Sequence, residues 1–422
     1  FTRVIREDPN RRGLLYAGTE TGIYVSFDDG ARWQRLGGNL PVAPIYDLVI
    51  KGTEMVVATH GRSFWILDDL APFHQMSDEI ARKSIHLFEP APTVRLRVDG
   101  GMGWNAREHY VNYAHVGTSV FAYDHIHTPE GETRNQPLTA GANRPVGVLI
   151  QYFLRDASQK AELRISDAKG EEVRSFTEGV PRIAGMKRFL WNLRLPGALR
   201  VEGEKLDPWH RDDGPLALPG QYRVVLEVDG ATLTQPFEIR RDPRVQTSDE
   251  DLRAQFEMLL QIRDRLSETN DLVNQIESAR RHLSLWMEAK GDEGRAVRAA
   301  AEELEADLGA LEKELIDVNM RQAQLYPSGL HEKLNALFDA VDSADYAPTQ
   351  QAREVFARLT DQLGDVSSRV AALMHEGGSR LNAAINSAGY SPAGWPSPVP
   401  AMPSSHVSRA DAAGVANGGS SR

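Results

Sequence analysis

The chain has no cysteine, which excludes disulfides, thiolate metal sites and cysteine nucleophiles together and leaves the redox compartment open. It has no apolar run near the roughly 18 residues that a membrane helix needs, so no membrane span is expected. Basic residues are the minority charge, 48 Lys and Arg against 59 Asp and Glu, for a net −11. No basic groove is expected from that balance, and nucleic acid is not an expected partner. An H-E-x-x-H zinc site and a Ser, His and Asp order of the hydrolase kind are both missing. The first residue is Phe1, followed by strand-like residues, without an initiator Met or a secretory leader. The sequence therefore reads as a piece of a longer protein whose beginning is missing.

What is present begins with a repeat. The stretch AGTETGIYVSFDDGARW (17–33) lies over VATHGRSFWILDDLAPF (57–73) without gaps, so that Thr19 falls on Thr59, Tyr24 on Phe64, Asp28 on Asp68, Asp29 on Asp69 and Trp33 on Phe73. The shift, 59 − 19 = 40 residues, is close to the ~40–45 of one propeller blade. Each copy gives a strand, a turn around the Thr, a second strand, then Asp-Asp and an aromatic. In the first copy Ser26, Asp28, Gly30 and Trp33 fit the Asp-box pattern Ser-x-Asp-x-Gly-x-x-Trp. An Asp in a tight turn accepts backbone N–H groups and Gly supplies the positive φ, so these residues are expected to hold a turn, with Asp68 and Phe73 as their counterparts in a degenerate second box. Neighbouring aspartates do not make a glycosidase pair, whose carboxyls flank one bond about 5–10 Å apart and come from different elements. His60 and Arg62, in THGR, follow a strand onto a hairpin turn and are the possible ligand contacts.

Beyond residue 74 the pattern loosens into a connector, 75–145. Its His109, His115, His125 and His127, with Asp124 close by, invite a metal reading, since DHIH sets two imidazoles on one face of a strand. No third ligand is fixed by spacing, so an ordered surface loop is expected, with no metal and no cofactor. From Val146 to about 242 short β runs separated by turn signals such as SDAKG and EVDGAT predict an all-β sandwich with Trp191 in its core. Ser248, with Asp251 three residues on, is a predicted N-cap. Apolar spacings of 3, 4 and 7 then predict long amphipathic helices over 247–386, assembled as an antiparallel bundle. Their seams run through Leu252, Phe256, Leu259, Leu266 and Val273, then Ala301, Leu304, Leu308, Leu311, Leu315, Val318 and Leu325, then Leu359, Leu363, Val366, Val370 and Leu373. The Ser/Pro/Ala/Gly-rich tail, 387–422, is expected to be disordered.

Taken together, YAGTETGIYVSFDDGARW, VVATHGRSFWILDD and RFLWNLR, in this order and before a helical region, resemble the C-terminal half of bacterial exported sortilin-like proteins with BNR or Asp-box propellers, often labelled glycosyl hydrolases. The resemblance implies a multidomain β plus α chain: terminal propeller blades over 1–74, incomplete as a propeller, then an immunoglobulin-like sandwich and the bundle. It also implies export to the periplasm or outside the cell. The function expected is binding or assembly, with the propeller recognising peptide or glycan and the helices able to oligomerise. The alternative is a glycoside hydrolase whose catalytic residues lie mostly upstream. No catalytic residue can be placed on this sequence, and whether the protein is an enzyme stays open.

Overall fold

A computed structural model of the chain describes residues 1–97, 111–116, 119–127, 133–138, 144, 146–202, 213–317 and 329–390. The fold is mixed β and α, and no sheet among the described residues closes on itself. Two compact units emerge, one of Phe1–Leu195 with Leu216–Gln246, the other of Pro196–Pro215 with Thr247–Arg422.

The first unit opens with two antiparallel meanders. Strands β1 (Thr2–Glu7), β2 (Leu15–Thr19), β3 (Gly22–Ser26) and β4 (Gln34–Arg35) form one, and β5 (Ile45–Lys51), β6 (Glu54–Thr59) and β7 (Phe64–Leu67) the other. The two threonines matched by the repeat do the same work. Thr19 Oγ1 donates to the Gly22 carbonyl at 2.9 Å and accepts the Thr21 N–H, while Thr59 Oγ1 donates to the Ser63 carbonyl at 2.6 Å and accepts the Arg62 N–H. The meanders share one apolar core, including Val4, Tyr16, Ile23, Val25, Ile45, Leu48, Met55 and Val57. Their approach is close at Gly18, where an added Cβ would lie 2.7 Å from both Ile45 Cγ2 and Val4 Cγ1.

After β7 come two short helices, α1 (Ala71–Gln75) and α2 (Asp78–Arg82), then strands β8 (Ile85–Leu87) and β9 (Thr93–Arg95). Three further strands, β10 (Asn112–Val116), β11 (Ser119–His127) and β12 (Thr133–Pro137), make a small antiparallel sheet where the sequence suggested an irregular loop. The remaining strands are β13 (Val148–Leu154), β14 (Ala161–Asp167), β15 (Glu172–Phe176), β16 (Gly185–Trp191), β17 (Arg194–Pro196), β18 (Asp213–Leu216), β19 (Gly220–Val228) and β20 (Ala231–Arg241). Sheets β16-β13-β8 and β15-β14-β19-β20-β9 enclose one core, and β17 pairs with β18. Alternate residues of β13, from Val148 to Leu154, are buried, the period-2 pattern of a strand with one face on a core. Trp191 is fully buried at the centre, with Tyr222 and Phe237 rings at 6.1 and 6.2 Å, and its indole N–H donates to the Arg194 carbonyl. Strands β8 and β9 come from the stretch expected to be only a connector, so these sheets start before residue 146.

The second unit is built on helices α3 (Asp249–Met287), α4 (Gly294–Leu315), α5 (Leu330–Asp342) and α6 (Gln350–Ser387) around a single apolar core. Ser248 caps α3, its Oγ accepting the Asp251 N–H at 3.0 Å and donating to the Asp251 carboxylate. Leu304, Leu308, Leu311 and Leu315 of α4 are buried, whereas Val318 and Leu325 lie outside the described residues. Along α6 the buried seam passes from Val370 to Met374, not Leu373, because a 3.6-residue turn drifts from a strict heptad. Of the predicted tail, residues 391–422 also lie outside the described residues.

Gly18→Val is expected to overfill the contact between the meanders and to destabilise the first unit by about 1–3 kcal/mol. Denaturant unfolding of wild type and variant, followed by tryptophan fluorescence, measures it; an unchanged midpoint would contradict the close approach at Gly18.

Candidate functional site

Residues 26–33 form a turn held by the side chains of Ser26, Asp28 and Arg32. Ser26 Oγ donates to Asp28 Oδ1 at 2.9 Å and accepts the Gly30 N–H at 2.9 Å. Asp28 accepts twice more from Arg32, from its backbone N–H at 2.8 Å and from Nε at 2.7 Å. Asp29 and Gly30 take left-handed backbone, φ +58° and +87°, conformations that Asp tolerates and Gly adopts freely. The Trp33 indole lies across Gly30 and remains 39% exposed. The Arg32 side chain and its backbone N–H, assisted by Ser26, hold the Asp28 carboxyl down at about 2.

The second copy departs from this plan. Ile66 and Leu70 stand where Ser26 and Gly30 do, and the fully buried Leu70 precedes α1 instead of turning outward. Asp69, not Asp68, makes the turn bond, accepting the Ala71 N–H at 2.8 Å, and its other oxygen accepts Gln151 Nε2 at 2.8 Å. Asp68 is half-buried. Burial raises its pKa, opposed by Arg144 and reinforced by Glu54. Burial likewise raises Asp69, opposed by the Ala71 N–H, the Arg144 charge and the Gln151 amide. Phe73 sits on α1, where its ring stacks on Phe27 with centroids 6.1 Å apart and planes 9° off parallel.

Between the turn, α1 and α2 lies a half-open cleft of about 910 Å³. Its apolar wall is Phe27, Trp33, Phe73, Met76 and Met186, and its charged rim is Arg11, Arg32, Asp28 and Asp78. Arg11 is committed to the wall, with its guanidinium 5.4 Å from the Phe27 ring centroid and an N–H on the Phe73 carbonyl. Ser77, also at the rim, caps α2 by accepting the Ile80 N–H. Arg32 keeps guanidinium N–H groups beyond the one that meets Asp28, and its side chain is 79% exposed. The size suits a short peptide segment or a small oligosaccharide, and the lining is that of a recognition site with few polar anchors.

Of the residues chosen from the sequence, Asp28, Trp33 and Phe73 meet at this cleft. His60 and Arg62 do not. His60 stacks on Tyr46 at 4.8 Å, with the Arg3 guanidinium 4.3 Å from the same ring, and Arg62 stands exposed on the neighbouring turn. His125 of β11 is hydrogen-bonded through Nδ1 to Asn135 of β12, and His109 lies outside the described residues. No group of three His, Asp or Glu residues suited to a metal occurs among the described residues. Sequence reasoning missed Met76 and Met186, which carry no local signal, and Arg11, whose only hint was its place in the turn after DPN. No model of a known protein family matches the chain, and neither does any curated protein.

Asp28→Asn should lower the melting temperature at neutral pH, and the deficit should shrink on acidification. The sign follows from linkage. A carboxyl at about 2 in the folded chain and about 3.9 unfolded stabilises above pH 4, and that contribution is lost as pH falls towards 2. Melting curves of both proteins from pH 7 to about pH 2.5 test it; a deficit that stays constant would show that the charge of Asp28 is irrelevant to the turn.

Proposed function

We propose that the protein is an exported binding or assembly protein that takes an apolar peptide segment into the cleft beside Trp33. In this reading the two meanders are the last blades of an Asp-box propeller, the paired sheets are an immunoglobulin-like module, and the helices are a bundle that serves assembly. The observation that carries the peptide reading is the lining. Two methionines and three aromatic rings face the opening, and its charged groups stand at the rim. Methionine suits a site that adapts to varied apolar side chains. A glycan site needs a ring of hydrogen-bonding groups around its aromatic platform, and here Met76, Met186, Pro72 and Ala81 stand among the rings.

Glycoside hydrolysis asks for one carboxyl kept protonated and a second ionised across the same bond. Asp28 suits neither role, since both its oxygens are occupied and it is held ionised down to about 2. The raised carboxyls, Asp68 and Asp69, do not line the cleft. No helix among the described residues is long and apolar enough to cross a membrane.

Probing peptide and glycan arrays with the whole chain tests this function. Peptides carrying Leu, Phe or Met side chains are expected to bind, and Trp33→Ala is expected to weaken them at least about ten-fold, as loss of a central aromatic anchor does. Its melting temperature should be close to that of wild type. Binding of glycans alone, or release of sugar from them, would overturn the proposal.

A further inference from the structure

The two methionines of the cleft are held differently. Met186 lies on β16, opposite Phe153 of β13. Side chains of a strand alternate between its faces, so Met186, five positions before the buried Trp191, turns away from the core. It is 45% exposed and lines the opening together with Phe27, Trp33 and Phe73. Met76 caps the C-terminal end of α1, its N–H donating to the Pro72 carbonyl, and its side chain is part-buried. Of the other methionines among the described residues, Met55, Met258 and Met374 are buried and Met287 is part-buried. The chain has no cysteine, so its thioethers are the sulfur groups that an oxidant meets. Access to the sulfur then decides which of them reacts, and Met186 is the most open.

We propose that Met186 is a reversible oxidation site, and that its sulfoxide makes the cleft unfit for apolar side chains. The binding consequence rests on the cleft taking an apolar peptide segment.

The oxidant is a peroxide. A lone pair of the Met186 sulfur attacks one peroxide oxygen, and an S–O bond forms as the O–O bond breaks. The other oxygen leaves as water after taking the proton from the oxygen that is transferred. The thioether loses two electrons and the peroxide gains them. The product has the length of methionine but carries a polar oxygen that accepts hydrogen bonds. Beneath an apolar ligand that oxygen must give up water, and the rings of Phe27 and Phe73 offer no donor in exchange. Affinity for an apolar peptide is therefore expected to fall at least about ten-fold. Methionine sulfoxide reductases, one for each sulfoxide epimer, reverse the step. They remove the oxygen as water, with two electrons and two protons from a dithiol.

Graded hydrogen peroxide on the whole chain, followed by peptide-mapping mass spectrometry, tests the site. Met186 is expected to be oxidised before Met76, Met287 and the buried methionines, with the melting temperature unchanged. The consequence is measured by titrating a Met-free array peptide that carries Leu and Phe onto the chain before oxidation, after it, and after treatment with both reductases. Affinity should fall and then return. In Met186→Leu the same peroxide dose should leave affinity at the value of the untreated variant. A faster-reacting Met76, a loss that the reductases do not reverse, or an equal loss in Met186→Leu would each overturn the proposal. A peptide bound equally by untreated and oxidised chain would overturn it and leave the peptide reading of the cleft standing. Peptides bound by neither would remove both.

Discussion

The cleft depends on a buried carboxylate. Asp8 has no exposed side-chain surface, and three donors meet it: the Asn10 N–H at 2.8 Å, the Tyr16 hydroxyl at 3.2 Å and His74 Nε2 at 2.9 Å. An isolated carboxylate in that position would cost several kcal/mol; hydrogen-bonded in this way, it becomes a fastening. Burial and the neighbouring Asp8 raise the Tyr16 phenol, so it stays a donor across the physiological range. Because His74 lies on α1, Asp8 anchors that helix to the first meander, while Asp69 and Gln75 hold its ends through Gln151 and the backbone of Glu89. Phe73 is kept against Phe27 by these bonds around it.

Divergence between the repeats then gives each copy a separate role. Ser26 and Gly30 let the first turn face outward and close on itself, leaving Trp33 at the surface. Ile66 and Leu70 cannot do the same. Leu70 sinks into the core, its N–H bonding the Thr53 carbonyl, and the chain leaves along α1 before a fourth strand can form. The same substitutions supply the cleft with its helical wall and leave β7 paired with β6 alone among the described residues.

Much of this was legible in sequence, for local reasons. Thr19 and Thr59 sit in equivalent turns, Ser248 caps α3, and the leucines of α4 face inward, because each follows from spacing within a dozen residues. What stayed hidden was non-local. The bond from His74 to Asp8 spans 66 residues and that from Gln151 to Asp69 spans 82. Met186 reaches the cleft from β16, a strand far along the chain from the turn at 26–33. Gln255 and Asn270 interrupt the apolar seam of α3, and only tertiary partners account for them: the carbonyls of Val341 and Ala344 for the first, the Leu199 carbonyl and the His331 ring Nδ1 for the second.

Asn270 bears on how the polypeptide is to be divided. The strap at 196–202 belongs to the helical unit, where the carbonyls of Leu199 and Arg200 accept the amides of Asn270 and Asn274, and the Glu202 N–H returns to Asn274. A fragment cut at Thr247 would strip those acceptors from a fully buried amide, although the visible change in pattern falls there. The helical unit is discontinuous in sequence, so its boundaries in the gene differ from its boundaries in space.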